Sequence, residues 1–164
     1  MGESSQAHLS LRAKRSNLSH LKRELATARK VVILGIGNEL YDKDSLGLLA
    51  AKEIEKSHLS GRYQVFLAGT APENFTGKVR ELSPSHVIFI DAADMGKEPG
   101  TIEIIGKDRI ASVTLSTHNL PFSLLAEYLT KETGCKVIII GIQPGENSSN
   151  REAIKKLAKL LYQD

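Results

Sequence analysis

Short apolar runs alternate with amphipathic segments over most of the 164-residue chain. A run that is apolar on both faces is typical of a central strand in a parallel sheet that is covered by helices. The pattern predicts parallel strands at VVILG (31–35), YQVFLA (63–68), HVIFI (86–90) and KVIII (136–140). The segments between and after them predict helices at 44–56, 73–82, 119–133 and 150–162.

One further apolar run, TIEII (101–105), follows the strand HVIFI after only ten residues. That separation is too short for a helical crossover between parallel strands, so TIEII is expected to lie antiparallel at an edge of the sheet. We therefore predict an α/β fold: a three-layer α/β/α sandwich around a mostly parallel, five-stranded sheet with one antiparallel edge strand.

An amphipathic segment precedes the first strand. Four of the leucines between His8 and Lys30, at positions 11, 18, 21 and 25, give a narrow apolar stripe between basic faces. This predicts a helical extension over residues 1–30, joined to a single α/β domain over residues 31–164. The sequence leaves two roles open for the helix: it packs on its own domain, or it docks a partner.

The charge distribution argues against nucleic acid as a partner. The formal net charge is +3, but residues 1–30 alone carry +5, which leaves −2 on the rest of the chain. The α/β domain is therefore not basic. Without a cationic face, interleaved aromatic residues or a recognition module, it lacks the features of a nucleic-acid-binding protein.

Composition indicates a cytoplasmic protein that does not insert into a membrane. No apolar run approaches the roughly 20 residues that a membrane-spanning helix needs. The basic residues near the N-terminus are not followed by the apolar segment of a secretory signal. The single cysteine, Cys135, excludes an internal disulfide and fits a reducing compartment.

Polar residues follow the predicted strands at one edge of the sheet. In an open parallel sheet the ligand site lies beyond the carboxyl ends of the strands. The residues expected there are small, polar or acidic: Gly35, Gly37 and Asn38, then Gly69 and Thr70, then Asp91 and Asp94, and finally Gly141 and Gln143. The sequence therefore predicts a polar site at this edge.

The stretch GIGNELYDKDSLG (35–47) begins like a dinucleotide-binding loop but does not complete it. The motif G-x-G-x-x-G would need a glycine at position 40, where the chain has Leu40. No Walker lysine follows, and the carboxylates of Asp42 and Asp44 would repel a pyrophosphate. The acidic residues favour a cation as the ligand.

Three side chains are candidates for contacting that cation: Asp44, Asp91 and His118. Asp44 has a structural alternative, because an aspartate just before an amphipathic run is a favoured helix N-cap, worth about 1 kcal/mol. Asp91 directly follows a buried strand, so its carboxylate is desolvated and needs a partner. Two carboxylates and an imidazole suit a borderline divalent ion with open coordination positions, which can polarise a carbonyl or activate water.

Other reactive side chains fit the predicted site less well. The remaining histidines are interpreted as solvated: His8, His20, His58 and His86. The motifs H-E-x-x-H and G-x-S-x-G are absent. Cys135 opens the strand KVIII, at the end of the sheet opposite the predicted site. Neither a serine nor a cysteine nucleophile is expected.

Five ordered motifs between Val31 and Asn147 resemble those of the hydrogenase maturation endopeptidases: GIGNELYDKDSLG, GTAPEN, IDAADMGKEPGTIEII, STHNLPF and GIQPGEN. The similarity is greatest to the branch that processes the large subunit of hydrogenase 3-type nickel-iron hydrogenases, and the family is labelled aspartic-type. The resemblance implies a protease that removes a short C-terminal peptide from the large-subunit precursor once nickel has entered its active site.

The resemblance also implies roles for particular residues. The metal-contacting positions of the family fall on Asp44, Asp91 and His118, and the two aspartates are the candidate catalytic residues. The nickel would be supplied in the substrate rather than held tightly by the enzyme, which we expect to be a monomer. The alternative function is a non-catalytic module on a Rossmann-like fold that binds nickel or a small cofactor.

The first loop departs from the family pattern in one respect. Relatives often read D-D-x-x-G or D-E-x-x-G, whereas here Lys43 precedes Asp44. Counting back from Gly47 assigns the metal-contacting role to Asp44. Asp42, which lies out of that register, competes for the same role.

Overall fold

Six strands form the sheet in the computed structural model, which describes residues 17–57, 61–116 and 122–162. They are β1 (Val31–Ile36), β2 (Tyr63–Gly69), β3 (His86–Asp94), β4 (Ile102–Ile104), β5 (Thr114–Leu115) and β6 (Lys136–Ile142). The order across the sheet is β2-β1-β3-β6-β4, and β5 pairs with the end of β3. Strands β2, β1, β3 and β6 are parallel to one another, whereas β4 and β5 run antiparallel to their partners.

Helices cover both faces of this sheet. They are α1 (17–26), α2 (Leu46–Lys56), α3 (Thr76–Leu82), α4 (Phe122–Thr133) and α5 (Asn147–Tyr162). On one face α1, α2 and α5 bury Leu21, Ile54 and Leu157 in a common core. On the other face α3 and α4 bury Val79 and Leu129 in a second core. The predicted three-layer sandwich with an antiparallel edge strand is confirmed. Among the described residues, the helices lack the length and continuous apolar character of a membrane span.

The sheet differs from the prediction in two details. It has six strands instead of five, because the two-residue strand β5 is too short to produce a recognisable pattern in the sequence. Strand β3 also continues to Asp94, four residues beyond the apolar run HVIFI. Asp91 therefore lies within β3, in register with Gly141 of β6, and does not belong to a loop after the strand.

Three helix starts also differ from the prediction. Helix α2 begins at Leu46 and not at residue 44. The segment predicted as helix from residue 73 begins with a separate 3-10 turn, Pro72–Phe75, in which the proline occupies the first turn and Ala71 before it has a non-helical backbone with φ −131° and ψ 62°. Helix α5 begins at Asn147, three residues earlier than predicted. Residues 119–121, which were predicted to open α4, lie outside the described residues.

The helix α1 packs on the sheet through its apolar stripe. Leu21 and Leu25 are buried in the core that α2 and α5 share. At the edge of the sheet, the Asn17 Oδ1 accepts a hydrogen bond of 3.0 Å from the Ile104 N–H in β4. This part of the stripe is therefore covered by the chain itself. Leu11 lies outside the described residues, and the division into an extension (1–30) and a domain (31–164) stays a prediction.

The prediction that His86 is solvated is wrong. His86 opens β3 and is only 6% exposed, because α1 covers this end of the sheet. Its Nδ1 lies 3.0 Å from Ser85 Oγ, and its Nε2 lies 3.4 Å from the Glu24 carboxylate on α1. Glu24 also pairs with Lys136 of β6. His20 is exposed, as expected, while His8 and His58 lie outside the described residues.

Candidate active site

An open cleft lies at the carboxyl ends of the parallel strands, the edge at which the sequence predicts a polar site. Its cavity volume is about 490 Å³. The loop after β1 contributes Asp44, the end of β3 contributes Asp94, the residue after β5 is Ser116, and the segment after β6 contributes Gln143 and Glu146. Three acidic residues therefore border the cleft, together with Lys43.

The acidic loop, which we define as residues 37–45, is closed by backbone hydrogen bonds. The Gly37 N–H donates to the Gly69 carbonyl at 3.0 Å, and the Asn38 N–H donates to the Asp44 carbonyl at 3.0 Å. Gly37 has φ 149°, and a Cβ there would lie 2.1 Å from the Asp44 carbonyl oxygen. Only glycine permits this approach, which explains the second glycine of the G-x-G-N sequence. The closure holds Asp44 at the wall of the cleft.

Asp44 does not cap the helix that follows. It ends a 3-10 turn, Asp42–Asp44, and Ser45 occupies the N-cap position of α2 without a side-chain capping bond. Instead, the Ser45 hydroxyl donates to the Asp42 carbonyl at 2.8 Å. The alternative interpretation of Asp44 as the N-cap of the following helix is therefore wrong. Its carboxylate is half-buried and borders the cleft, whereas Asp42 is exposed and does not border it.

Asp91 is fully buried beneath the cleft. Its Oδ2 accepts a hydrogen bond of 3.1 Å from the Ser116 N–H, and its Oδ1 accepts a second from the Ser116 hydroxyl. Burial disfavours the charged form and raises the pKa of Asp91 to about 7, although the bonds from Ser116 and Ala92 act in the opposite direction. The negative charge of Asp44 raises this pKa further, which indicates that the two carboxylates interact.

A network around Gln143 fixes the loop that follows β3. The Gln143 Oε1 accepts hydrogen bonds from the Met95 N–H at 2.7 Å and the Lys97 N–H at 3.3 Å. Its Nε2 donates to Asp94 Oδ1 at 3.2 Å, which the Gly96 N–H also contacts. These donors, the Gln143 amide above all, lower the pKa of Asp94. The buried amide of Gln143 therefore orients one wall of the cleft.

The structure brings together two of the three predicted cation contacts. Asp44 borders the cleft and Asp91 lies beneath it, whereas His118 lies outside the described residues. Within the part of the chain that the structure describes, no group of three His, Cys, Asp or Glu residues is arranged to hold a metal ion. Cys135 is buried before β6, at the opposite end of the sheet from the cleft.

Ser116 and Glu146 border the cleft but were not predicted from the sequence. Ser116 covers Asp91, and Glu146 is the third acidic residue at the cleft. Ser116 is part of the sequence STHNLPF, but nothing in that motif indicates that its hydroxyl reaches back to a strand residue 25 positions earlier. Glu146 precedes α5 by one residue, a position that by itself is typical of an exposed helix start.

Comparison with known proteins places this chain in a family. The family model of hydrogenase maturation proteases matches residues 48–160, more than half of the chain. The hydrogenase 3 maturation protease of Escherichia coli K12 is 37% identical over 136 residues, which cover 80% of this chain and 86% of that protein.

Solved structures agree with the family match. The crystal structure of a nickel-iron hydrogenase maturation protease from Thermococcus kodakarensis KOD1 superposes with a TM-score of 0.74 at 28% identity, covering 86% of this chain and 97% of that chain. The solution structure of an endopeptidase from Escherichia coli gives a TM-score of 0.68 at 33% identity, covering 79% of this chain and 87% of that chain. The chain belongs to the hydrogenase maturation protease family.

Proposed function

We propose that this protein is an endopeptidase that removes the C-terminal extension of a nickel-iron hydrogenase large-subunit precursor after nickel insertion. The observation that carries the proposal is the family match together with Asp44 at the wall of an open cleft. A relative with 37% identity is named for hydrogenase 3, which supports a hydrogenase 3-type precursor as the substrate.

In this proposal Asp44, Asp91 and His118 contact the nickel that is already lodged in the precursor. Two carboxylates and one imidazole, without a thiolate, leave a divalent ion incompletely coordinated. Ligands from the precursor supply the remaining positions, so the metal is part of the substrate and not a resident cofactor. Recognition of the metal then makes cleavage conditional on nickel insertion.

The proposed chemistry is hydrolysis of one peptide bond with an aspartate as the proton acceptor, which is the meaning of the aspartic-type label. Water attacks the scissile carbonyl carbon, an aspartate accepts the proton of that water, and the leaving amine gains a proton as the C–N bond breaks. Asp44 has direct access to the cleft. Asp91 gains access when a group of the precursor replaces the Ser116 hydroxyl at its Oδ1.

The proposal includes a monomeric enzyme that acts in the cytoplasm. The buried free thiol of Cys135 is consistent with a reducing compartment. The alternative, a non-catalytic module that binds nickel or a small cofactor, is disfavoured because the matching family and relatives are proteases.

A comparison of Asp44 with Asp42, the two aspartates that compete for the metal-contacting role, provides a direct test of the site. We expect Asp44→Asn to lower the rate of precursor processing by at least about 100-fold, because it removes a carboxylate that borders the cleft. Asp42→Asn, the matched control two residues away, should stay within about threefold of the unsubstituted enzyme, because Asp42 is exposed outside the cleft.

Both variants would be incubated with nickel-loaded precursor, and the products identified by mass spectrometry. Far-UV circular dichroism and the melting temperature would show that each variant is folded. Normal processing by Asp44→Asn combined with failure of Asp42→Asn would show that the metal-contacting role belongs to Asp42.

A further inference from the structure

Ser116 lies between the buried carboxylate of Asp91 and the open cleft. Ser116 is half-buried and lines the cleft, whereas Asp91 is fully buried beneath it. Both carboxylate oxygens of Asp91 contact this one residue: the Ser116 N–H donates to Oδ2 at 3.1 Å, and the Ser116 hydroxyl donates to Oδ1. An ion that enters the cleft therefore competes with the Ser116 hydroxyl for Oδ1.

The two hydrogen bonds from Ser116 differ in how easily they are released. The backbone of Ser116 is fixed where β5 pairs with β3, because Leu115 is in register with Ala93 and the Ser116 N–H also contacts the Ala92 carbonyl at 3.2 Å. The bond to Oδ2 is therefore part of the strand pairing. The hydroxyl turns about the single Cα–Cβ bond between staggered rotamers, so it can leave Oδ1 while the strand stays in place.

Release of the hydroxyl from Oδ1 requires another partner for that oxygen. A buried carboxylate that loses a hydrogen bond without replacement is strongly disfavoured. A divalent cation meets the requirement, because carboxylate oxygens are ligands of such ions and the charge of the ion attracts them more strongly than a neutral hydroxyl does. Asp44, the other aspartate of the proposed nickel contact, lines the same cleft. An ion shared by Asp44 and Asp91 therefore needs Oδ1 to be uncovered.

We propose that Ser116 is a positioning residue that caps Asp91 in the free enzyme, where its hydroxyl occupies the place on Oδ1 that the precursor's nickel takes. This inference rests on the proposed function and adds a control of access to the same site. A free aqueous ion must displace the hydroxyl through its contacts with the enzyme alone. The nickel of a docked precursor is held beside the site at high effective concentration, so it displaces the hydroxyl where a free ion binds weakly.

Titration of the purified enzyme with Ni²⁺ tests this cap without any precursor. Ser116→Ala should bind Ni²⁺ about 10-fold more tightly than the unsubstituted chain, because the ion no longer displaces a hydrogen bond to a charged group. Ser116→Thr retains the hydroxyl and should stay within about twofold of the unsubstituted chain. In an Asp91→Asn background, Ser116→Ala should give no gain in affinity, since no carboxylate is left to uncap.

Isothermal titration calorimetry would be run at alkaline pH, where protons compete least with Ni²⁺ for a carboxylate. The melting temperature of each variant, measured without metal, would show that the titrated protein is folded. Equal affinities of Ser116→Ala and the unsubstituted chain, including no measurable binding by either, would overturn the inference, and so would a gain that persists in the Asp91→Asn background. The proposed function fails on a different result, namely nickel-loaded precursor that the unsubstituted enzyme leaves intact.

Discussion

Replacement of Asp91 by asparagine is expected to abolish processing and, at the same time, to stabilise the fold near neutral pH. The activity should fall by at least about 100-fold, because asparagine can neither accept a proton nor supply the negative charge that the proposed contact with the precursor's nickel requires. The stability should rise because the carboxylate of Asp91 is fully buried and its pKa is raised to about 7 from an ordinary 3.8.

The direction of the stability effect follows from proton linkage. Between the unfolded and folded pKa values the folded chain retains a proton that the unfolded chain has lost, so the stability due to Asp91 falls as the pH rises through that interval. At about pH 8 the folded chain contains a desolvated carboxylate, and Asp91→Asn should gain on the order of 3 kcal/mol. Below about pH 4 the two proteins should be similarly stable, since both states bind the proton.

Thermal unfolding at a series of pH values would measure this difference. Glu55→Gln, which neutralises an exposed carboxylate near the end of α2, is the matched control and should change the melting temperature little at any pH. Equal melting temperatures of Asp91→Asn and the unsubstituted chain at alkaline pH would show that Asp91 is well solvated or paired as an anion.

Replacement of Gly47 by alanine is expected to cause a large loss of stability. Helix α2 crosses the sheet at Gly47, and a Cβ there would lie 2.1 Å from the Ile90 carbonyl oxygen and 2.2 Å from the Ile36 carbonyl oxygen. Both atoms belong to the backbone of central strands and cannot rotate away. The helix must therefore move off the sheet, and we expect a loss of about 3 kcal/mol or more in the free energy of unfolding.

Gly77→Ala serves as the matched control for Gly47→Ala. Gly77 lies in helix α3, and a Cβ added there would meet no atom within 4 Å. Alanine is the better helix former, so this variant should be more stable by about 0.5–1 kcal/mol. Denaturant unfolding of the two variants would check the pair. A Gly47→Ala protein as stable as the unsubstituted chain would contradict the close packing of α2 on β1 and β3.

The main strands could be predicted because their apolar character is continuous. VVILG and HVIFI are buried on both faces by helices, so the requirement for apolar residues applies at every position. The antiparallel edge strand β4 could be predicted because the connection before it is too short for a helical crossover. The extension of β3 to Asp94 was missed because an aspartate inside a strand breaks the apolar pattern, although the ladder to β6 continues through Asp91.

Prediction of the site was limited by contacts between distant parts of the chain. Asp44 and Asp91 were selected because acidic residues stand near strand ends, and both lie at the predicted edge. The cover that Ser116 provides over Asp91 depends on the pairing of β5 with β3, which no local pattern indicates. The burial of His86 likewise depends on where α1 packs, since the contact joins residues 62 positions apart.

In the proposed function, the enzyme recognises the precursor through its nickel. The most direct measurement is the mass of the large subunit after incubation of nickel-loaded and nickel-free precursor with enzyme that has been stripped with a chelator and then freed of it. We expect the C-terminal peptide to be removed from the nickel-loaded precursor alone, even at high enzyme concentration. Removal of the same peptide from nickel-free precursor at a comparable rate would contradict it.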